Sequence, residues 1–183
     1  DGPAPLSYHL GILGMPGMTA YVGLMKIAEA KAGDTVFVTA ASGAVGSVVG
    51  QLAKIHGCRV AGSAGSDEKV ALLTEEFGYD AGFNYKTSES LTESVRNVCP
   101  KGVDVLFENV GGDIFEAVLW NMRDLGRVAL CGMISGYNLE NPQPGPRGML
   151  LAVGRRLKIQ GFIVTDHPQD CDEYVLLATG WLK

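Results

Sequence analysis

The chain has 183 residues, a formal charge of −5 at pH 7 and a hydrophobic content of 46%. This hydrophobic content suits one folded domain and excludes general disorder, while the acidic balance argues against nucleic acid as a partner, because phosphate backbones need a basic surface. No apolar run approaches the roughly 18–20 residues of a membrane span, so we expect no membrane partner.

In chain order, the sequence predicts six strands separated by helices. Residues 1–16 predict an irregular leading segment, and residues 136–146 predict a long loop rich in Gly and Pro. Strands are predicted at 35–40, 59–64, 81–85, 103–108, 127–131 and 157–164. Helices are predicted at 17–30, 45–56, 67–77, 90–98, 113–122, 149–156 and 174–182. This alternation predicts one α/β domain of the Rossmann type: a doubly wound parallel six-stranded sheet with helices on both faces.

The four cysteines are widely spaced and form no C-x-x-C pair. This usage favours free thiols in a reducing compartment, and hence a cytoplasmic protein. The three histidines show no ligand spacing, so no metal site is expected. The chain begins with neither an initiator Met nor a signal-peptide pattern, which predicts a piece of a longer protein.

A glycine-rich turn follows the first predicted strand. Residues 41–46 read Ala-Ser-Gly-Ala-Val-Gly, which matches G-x-G-x-x-G with Ala in the first position. Gly43 would let the backbone approach a pyrophosphate, and Gly46 would let the next helix pack closely on the strand. The position between a strand and a helix is what this mechanism requires, so Gly43, Ala44, Val45 and Gly46 are predicted to bind a dinucleotide. A purely structural turn is the alternative.

The end of the second predicted strand favours NADP(H) over NAD(H). About 20 residues past the turn, where NAD-binding domains carry an acid, the sequence has Ala61-Gly62-Ser63. Lys69 lies on the first turn of the next predicted helix, where the helix dipole disfavours a cation. A 2′-phosphate bound by Lys69 and the Ser66 region would remove that conflict. The alternative is that Ser66 caps the helix and Lys69 is solvated.

Several segments resemble the zinc-independent medium-chain reductases. They are LGMPGMTAYVGL (13–24), AASGAVGSVVGQLAK (40–54), AGSDEK (64–69), FNYK (83–86), NVGG (109–112) and CGMISGYN (131–138). The nearest group is that of prostaglandin reductases, leukotriene hydroxydehydrogenases and plant alkenal double-bond reductases. The resemblance spans nearly the whole chain. It implies NADPH-dependent reduction of the C=C bond of α,β-unsaturated aldehydes and ketones, with small enals or enones as substrates.

The resemblance also implies roles for individual residues. Lys69 and Tyr85 would contact the 2′-phosphate side of the adenosine, and Asn109 would lie near the cofactor. The nicotinamide side would be lined by Cys131, Gly132, Met133, Ile134, Ser135 and Tyr137 and walled by Phe162, Ile163 and Val164. Tyr137 would donate a proton or stabilise the enolate. The alternative is that Tyr137 only packs, with the ribose 2′-hydroxyl or water as the proton source.

Members of this group carry an N-terminal barrel-like catalytic domain and a C-terminal end that have no counterpart in this sequence. Residues 1–183 are therefore expected to be an NADP-binding Rossmann domain that is inactive by itself. The group contains many homodimers joined through the last strands, so we expect a homodimer with 157–164 near its edge. An NADPH:quinone reductase and a non-catalytic NADPH-binding sensor are the alternative functions. Glu108 ends the fourth predicted strand, either as a charge at the sheet's edge or as an orienting group.

Overall fold

The computed structural model describes residues 4–141 and 144–182. Its strands are β1 (Thr35–Val38), β2 (Arg59–Ala64), β3 (Ala81–Asn84), β4 (Val103–Glu108), β5 (Met122–Leu130) and β6 (Lys158–Gly161). They form one sheet in the order β3-β2-β1-β4-β5-β6, and every neighbouring pair is parallel. This is the strand order of the Rossmann sheet, so the predicted fold class is confirmed.

Eight α-helices accompany the sheet within the described residues. They are α1 (Leu6–Leu10), α2 (Met15–Tyr21), α3 (Gly46–Ile55), α4 (Asp67–Glu75), α5 (Leu91–Val98), α6 (Gly112–Asn121), α7 (Leu150–Gly154) and α8 (Cys171–Trp181). A π-helix covers Val22–Ile27, and short 3₁₀ turns cover Ile134–Gly136, Arg147–Met149, Val164–Asp166 and Pro168–Asp170. None of the helices in this part of the chain has the length and apolar character needed to cross a membrane.

The central strands of the sheet are buried on both faces. Side chains alternate along a strand, so Val36 and Val38 pack in one core cluster with residues of α2 and α3. Phe37 points the other way, into a second cluster with residues of α5 and α6. A strand covered on both sides needs an apolar residue at nearly every position, which explains the composition of β1 and β4.

The predicted helix starts and stops are largely confirmed by cap geometry. The Ser66 hydroxyl accepts a hydrogen bond from the Lys69 N–H at the start of α4, and the Ser90 hydroxyl accepts one from Glu93 at the start of α5. Gly78 follows α4 with a φ of 72°. This left-handed conformation is one that glycine adopts at low cost, and it ends the helix.

The predictions for the leading segment were partly wrong. Residues 1–3 lie outside the described residues, but α1 and the start of α2 occupy much of the predicted irregular stretch. The helix predicted at 17–30 begins instead at Met15 and continues as the π-helix. A Cβ at Gly23 would lie 2.5 Å from the Phe107 ring and 2.6 Å from the Phe162 ring. This glycine therefore allows the π-helix to lie directly against β4 and the segment after β6.

Several strand limits also differ from the predictions. The first strand ends at Val38, because Ala40 already has a φ of 50° in the following turn. β5 begins at Met122 rather than at 127, and its pairing with β4 changes register between Val103 and Val105. β6 ends at Gly161, so the strand predicted at 157–164 is shorter. In the loop predicted at 136–146, residues 142 and 143 lie outside the described residues.

Candidate functional site

A tight turn carries the chain from β1 into α3. The Gly43 N–H donates to the Ala40 carbonyl at 2.9 Å, and the Ala41 N–H donates to the Ser63 carbonyl of β2 at 2.9 Å. A Cβ at Gly46 would lie 2.5 Å from the Ala40 carbonyl oxygen and 2.8 Å from the Ala41 Cα. Glycine at this position therefore lets α3 begin in direct contact with the end of β1.

The same turn presents backbone donors to solvent. The N–H groups of Ala44, Val45 and Gly46 have no hydrogen-bond acceptor among the described residues, 4–141 and 144–182. They lie at the N-terminus of a ten-residue helix, where the helix dipole adds partial positive charge. Gly43 and Ala44 are exposed, Val45 is partly exposed and Gly46 is buried. Consecutive unbonded donors at a helix start fit the pyrophosphate of a dinucleotide.

Tyr79 holds the start of α3 in place. Its hydroxyl donates to the Gly46 carbonyl at 2.7 Å, and its ring fills the space where Gly50 lacks a side chain. Tyr79 is 3% exposed. The sequence gave no signal for Tyr79, since it lies far along the chain from the turn.

Basic and hydroxyl groups gather at the end of β2. Lys69 is exposed and has no ion-pair partner in the described part of the chain. A Cβ at Gly65, next to Ser66, would lie 3.2 Å from the Tyr85 hydroxyl and 3.5 Å from Lys86 Cε. Tyr85 and Lys86 therefore lie beside the Gly65–Ser66 segment that begins α4, the helix that carries Lys69. Lys86 is a second cation here that the sequence reasoning missed, although its position directly after Tyr85 could have revealed it.

The turn after β4 is bonded to the end of β1. The Asn109 side-chain amide donates to the Thr39 carbonyl at 2.8 Å, and the Asn109 N–H donates to the Thr39 hydroxyl at 2.8 Å. Asn109 thus lies at the carboxyl edge of the sheet beside the glycine turn. Ligands bind at this edge in open α/β sheets, where the strand order reverses between β1 and β4.

The loop after β5 is pinned to the turn after β4. The Ile134 N–H donates to the Asn109 carbonyl, and the N–H and hydroxyl of Ser135 both donate to the Val110 carbonyl. The Tyr137 side chain folds back, so that its hydroxyl accepts a hydrogen bond from the Met133 N–H at 3.0 Å. Tyr137 is nevertheless 66% exposed, and its hydroxyl proton is available to another acceptor.

A cleft brings most of the predicted nicotinamide-side residues together. Its lining includes Cys131, Gly132, Met133, Tyr137, Phe162 and Ile163. Val164 instead packs against the apolar core. A second cavity lies on the far side of the same loop, between Ser135 and the start of α6. The loop after β5 therefore separates two concave surfaces.

Comparison with known proteins places this arrangement in a family. The profile of the zinc-binding dehydrogenases matches residues 44–179, which is most of the chain. The chain belongs to this family. Within the described residues, no three His, Cys, Asp or Glu side chains are grouped so as to hold a metal ion.

The similar proteins confirm the more specific resemblance within this family. A 2-alkenal reductase (NADP(+)-dependent) from Nicotiana tabacum is 53% identical over 183 residues, which are 100% of this chain and 53% of that protein. Prostaglandin reductase 1 from Sus scrofa is 53% identical over 161 residues, which are 88% of this chain and 49% of that protein. The chain thus spans about half the length of these curated relatives.

A solved structure shows the same fold. The crystal structure of CurA in complex with NADPH from Vibrio vulnificus has a TM-score of 0.92 and 42% sequence identity. The likeness covers 100% of this chain and 55% of that one. The predicted membership of the alkenal and prostaglandin reductase group is therefore confirmed.

Two titratable groups of this family member are buried beside the cleft. Burial raises the pKa of the Glu108 carboxyl to about 7, although hydrogen bonds from Gly111, Val110 and Thr39 lower it in part. Burial, and then the charge of Glu108, raise the pKa of the Cys131 thiol to about 11. The Cys131 thiol is therefore neutral and weakly nucleophilic near pH 7.

The cysteines are expected to differ sharply in their reactivity. Burial raises the pKa of Cys58 to about 11 and that of Cys99 to about 12, whereas Cys171 is exposed. We expect a maleimide at pH 7 to label Cys171 first, with Cys58 and Cys99 labelled only after denaturation. Peptide mapping of the labelled protein by mass spectrometry measures this order. Rapid labelling of Cys99 in the folded protein would show that Cys99 is not buried.

Proposed function

We propose that this chain binds NADPH and forms the cofactor-binding part of a longer enzyme that reduces the C=C bond of α,β-unsaturated aldehydes and ketones. One observation carries this proposal: consecutive unbonded N–H groups at the start of α3 lie beside β2, whose carboxyl end has no acid. The name of the tobacco relative supports both the cofactor and the class of substrate.

The cofactor would extend along the carboxyl edge of the sheet. The N–H groups of 44–46 would bind the pyrophosphate, which is the group that a helix N-terminus stabilises best. Lys69, with Lys86 and the Tyr85 hydroxyl, would bind the 2′-phosphate of the adenosine. The nicotinamide end of the cofactor would enter the cleft that Tyr137 lines.

The reduction needs a hydride at the β-carbon of the enone, a proton at the α-carbon and a group that stabilises negative charge on the carbonyl oxygen. Bound NADPH would supply the hydride, and the proton would come from Tyr137, the ribose 2′-hydroxyl or water. Negative charge then builds on the carbonyl oxygen, where a donor aimed at that oxygen lowers the barrier. The Tyr137 hydroxyl accepts from the Met133 N–H, which polarises its own O–H bond toward an acceptor. Phe162 and Ile163 add apolar side chains to the lining of this cleft.

Replacing Tyr137 with Phe tests this assignment. We expect kcat for an enone to fall about tenfold, as for the loss of one hydrogen bond to a charged group, with little change in the KM for NADPH. Steady-state kinetics of the complete protein measure both constants. An unchanged kcat/KM for the enone would leave Tyr137 with a packing role only.

Replacing Lys69 with Ala tests the cofactor assignment. We expect the dissociation constant of NADPH to rise about tenfold, because one charge-assisted contact to the 2′-phosphate is lost, while that of NADH stays unchanged. Lys101→Ala is a matched control, since Lys101 is an exposed lysine in the turn before β4. Equal affinities of the unsubstituted protein for NADPH and NADH would overturn the choice of cofactor.

The class of substrate is tested with the complete protein. Incubation with a 2-alkenal and NADPH should lower the absorbance of the reduced nicotinamide and yield the saturated aldehyde. Oxidation of NADPH with a quinone but not with a 2-alkenal would favour the quinone reductase alternative. Binding of NADPH without turnover of either substrate would favour the sensor alternative.

We also propose a homodimer and a cytoplasmic location. β6 is at one end of the sheet, where its outer backbone groups can pair with a second copy of the chain. The four cysteines are unpaired, as suits a compartment that keeps thiols reduced. Light scattering of the complete protein tests the dimer: a mass of one subunit would contradict it.

A further inference from the structure

Glu108 is a buried carboxylate that the mechanism above does not use. It ends β4 and is 0% exposed. Its Oε1 atom accepts hydrogen bonds from the Thr39 hydroxyl at 3.0 Å, the Gly111 N–H at 2.7 Å and the Val110 N–H. Three donors from two chain segments therefore converge on one oxygen atom.

The backbone of Glu108 ties in a third segment. Its carbonyl oxygen accepts hydrogen bonds from the Cys131 N–H at 2.9 Å and the Gly132 N–H at 3.1 Å. The Thr39 hydroxyl, which donates to the carboxylate, also accepts from the Asn109 N–H. This one residue thus connects the end of β1, the turn after β4 and the start of the loop after β5.

The turn that these bonds hold has an unusual backbone conformation. Gly111 and Gly112 have φ values of 78° and 60°, so two successive residues adopt the left-handed region. A Cβ at Gly111 would lie 2.8 Å from Met133 Cε and 3.3 Å from the Ser135 hydroxyl. The turn therefore fits closely under the loop that carries Tyr137, and a shift of the turn would displace the cleft.

The carboxylate is poorly explained by stability alone. Its second oxygen, Oε2, is buried and has no hydrogen-bond partner among the described residues. A buried charge with one unsatisfied oxygen costs free energy that a neutral residue of similar shape would avoid. A residue retained at such a cost beside a ligand cleft points to a role in that cleft.

We infer that Glu108 is a positioning residue of the cofactor site, whose carboxylate sets the turn at 109–112 and the adjoining loop in the shape that receives the nicotinamide half of NADPH. This inference rests on the proposed function, because it presumes that NADPH binds along this edge. The carboxylate acts through its bonds to Thr39, Val110 and Gly111 and need not touch the cofactor itself. The adenosine half lies at the other end of the edge, by Lys69, and should not depend on it.

The test compares the whole cofactor with its adenosine half. We expect Glu108→Ala in the complete protein to raise the dissociation constant of NADPH about tenfold, as for lost hydrogen bonds at one site. The dissociation constant of 2′,5′-ADP, which lacks the nicotinamide half, should change by less than about twofold. Isothermal titration measures both ligands. An unchanged NADPH affinity, or an equal loss for both ligands, would overturn the inference.

A conservative variant keeps the test valid if the alanine variant does not fold. Glu108→Gln retains a side-chain oxygen for the turn but not the charge, so it should restore part of the NADPH affinity. In the complete enzyme it should raise the KM for NADPH more than it lowers kcat. Glu75→Gln, at an exposed position of α4, should change neither constant. A Gln variant equal to the unsubstituted protein in NADPH affinity would contradict a role for the charge.

Failure of the proposed function can be distinguished from failure of the inference about Glu108. If the unsubstituted protein binds neither NADPH nor 2′,5′-ADP, the proposed function fails. If it binds both, and the Glu108 variants change the two affinities alike, only the inference about Glu108 fails.

Discussion

Replacing Gly46 with alanine is expected to raise the dissociation constant of NADPH more than about 100-fold and to lower the free energy of unfolding by about 3 kcal/mol. The added methyl group would meet the Ala40 carbonyl oxygen at 2.5 Å and the Ala41 Cα at 2.8 Å. Both are backbone atoms, so no side chain can move aside to make room. The start of α3 must shift, and the N–H groups of 44–46 must shift with it.

Two measurements separate the parts of this effect. Urea denaturation gives the loss of stability, and titration with NADPH below the unfolding transition gives the loss of affinity. Gly154→Ala is the matched control, because a Cβ at that position has no atom within 4 Å. A Gly46→Ala variant that binds NADPH as tightly as the unsubstituted protein would show that the turn does not hold the pyrophosphate.

The second large effect concerns the pH dependence of stability. Burial raises the pKa of Glu108 from 4.5 to about 7 in the folded protein. Between about pH 4.5 and 7 the folded state therefore holds a proton that the unfolded chain has released. The free energy of unfolding falls as the pH rises through this window. Above pH 7 the full loss is on the order of 3 kcal/mol, from a pKa difference of about 2.5.

Glu108→Gln removes this titration. The stability of the variant relative to the unsubstituted protein should therefore rise from pH 5 to pH 8 and level off near pH 8. Urea denaturation at several pH values measures the difference, and Glu75→Gln serves again as the control. A difference that is constant over this range, or that falls with pH, would show that the pKa of Glu108 is not raised into this window.

The stability and NADPH-binding measurements on the Glu108 variants together would show that this carboxylate lowers stability but supports binding. At neutral pH the carboxylate of Glu108 costs stability through its burial, while its bonds to 110 and 111 hold the turn. Glu108→Gln would remove the stability cost of the buried charge and weaken the bonds that hold the turn. Proteins tolerate such costs where a site needs a fixed shape.

Much of the fold could be predicted because it depends on local patterns. Short, mostly apolar runs between turns and helices indicated all six strands, most clearly the central β1 and β4, which are buried and apolar at nearly every position. The glycine turn was recognised because its residue types follow from its own backbone geometry. Ser66 was recognised as a cap for the same reason. Lys69 was predicted from the helix dipole and from the missing acid at the end of the second strand, whereas Tyr85 was placed by resemblance.

The features that escaped prediction depend on contacts between distant parts of the chain. The bond between Thr39 and Glu108 joins residues 69 positions apart, and the π-helix at Val22–Ile27 lies against Phe107 and Phe162. β5 begins in the polar stretch 122–126, where only pairing with β4 defines a strand. Local composition carries no signal for such contacts, so Tyr79 and the network of Glu108 required the structure.

A structure of the complete protein crystallised with NADPH would test the central claim most directly. We expect the pyrophosphate within hydrogen-bond distance of the N–H groups of Ala44, Val45 and Gly46, with the 2′-phosphate beside Lys69. An intact sheet with this edge empty at saturating NADPH, or with the cofactor bound elsewhere, would contradict the account.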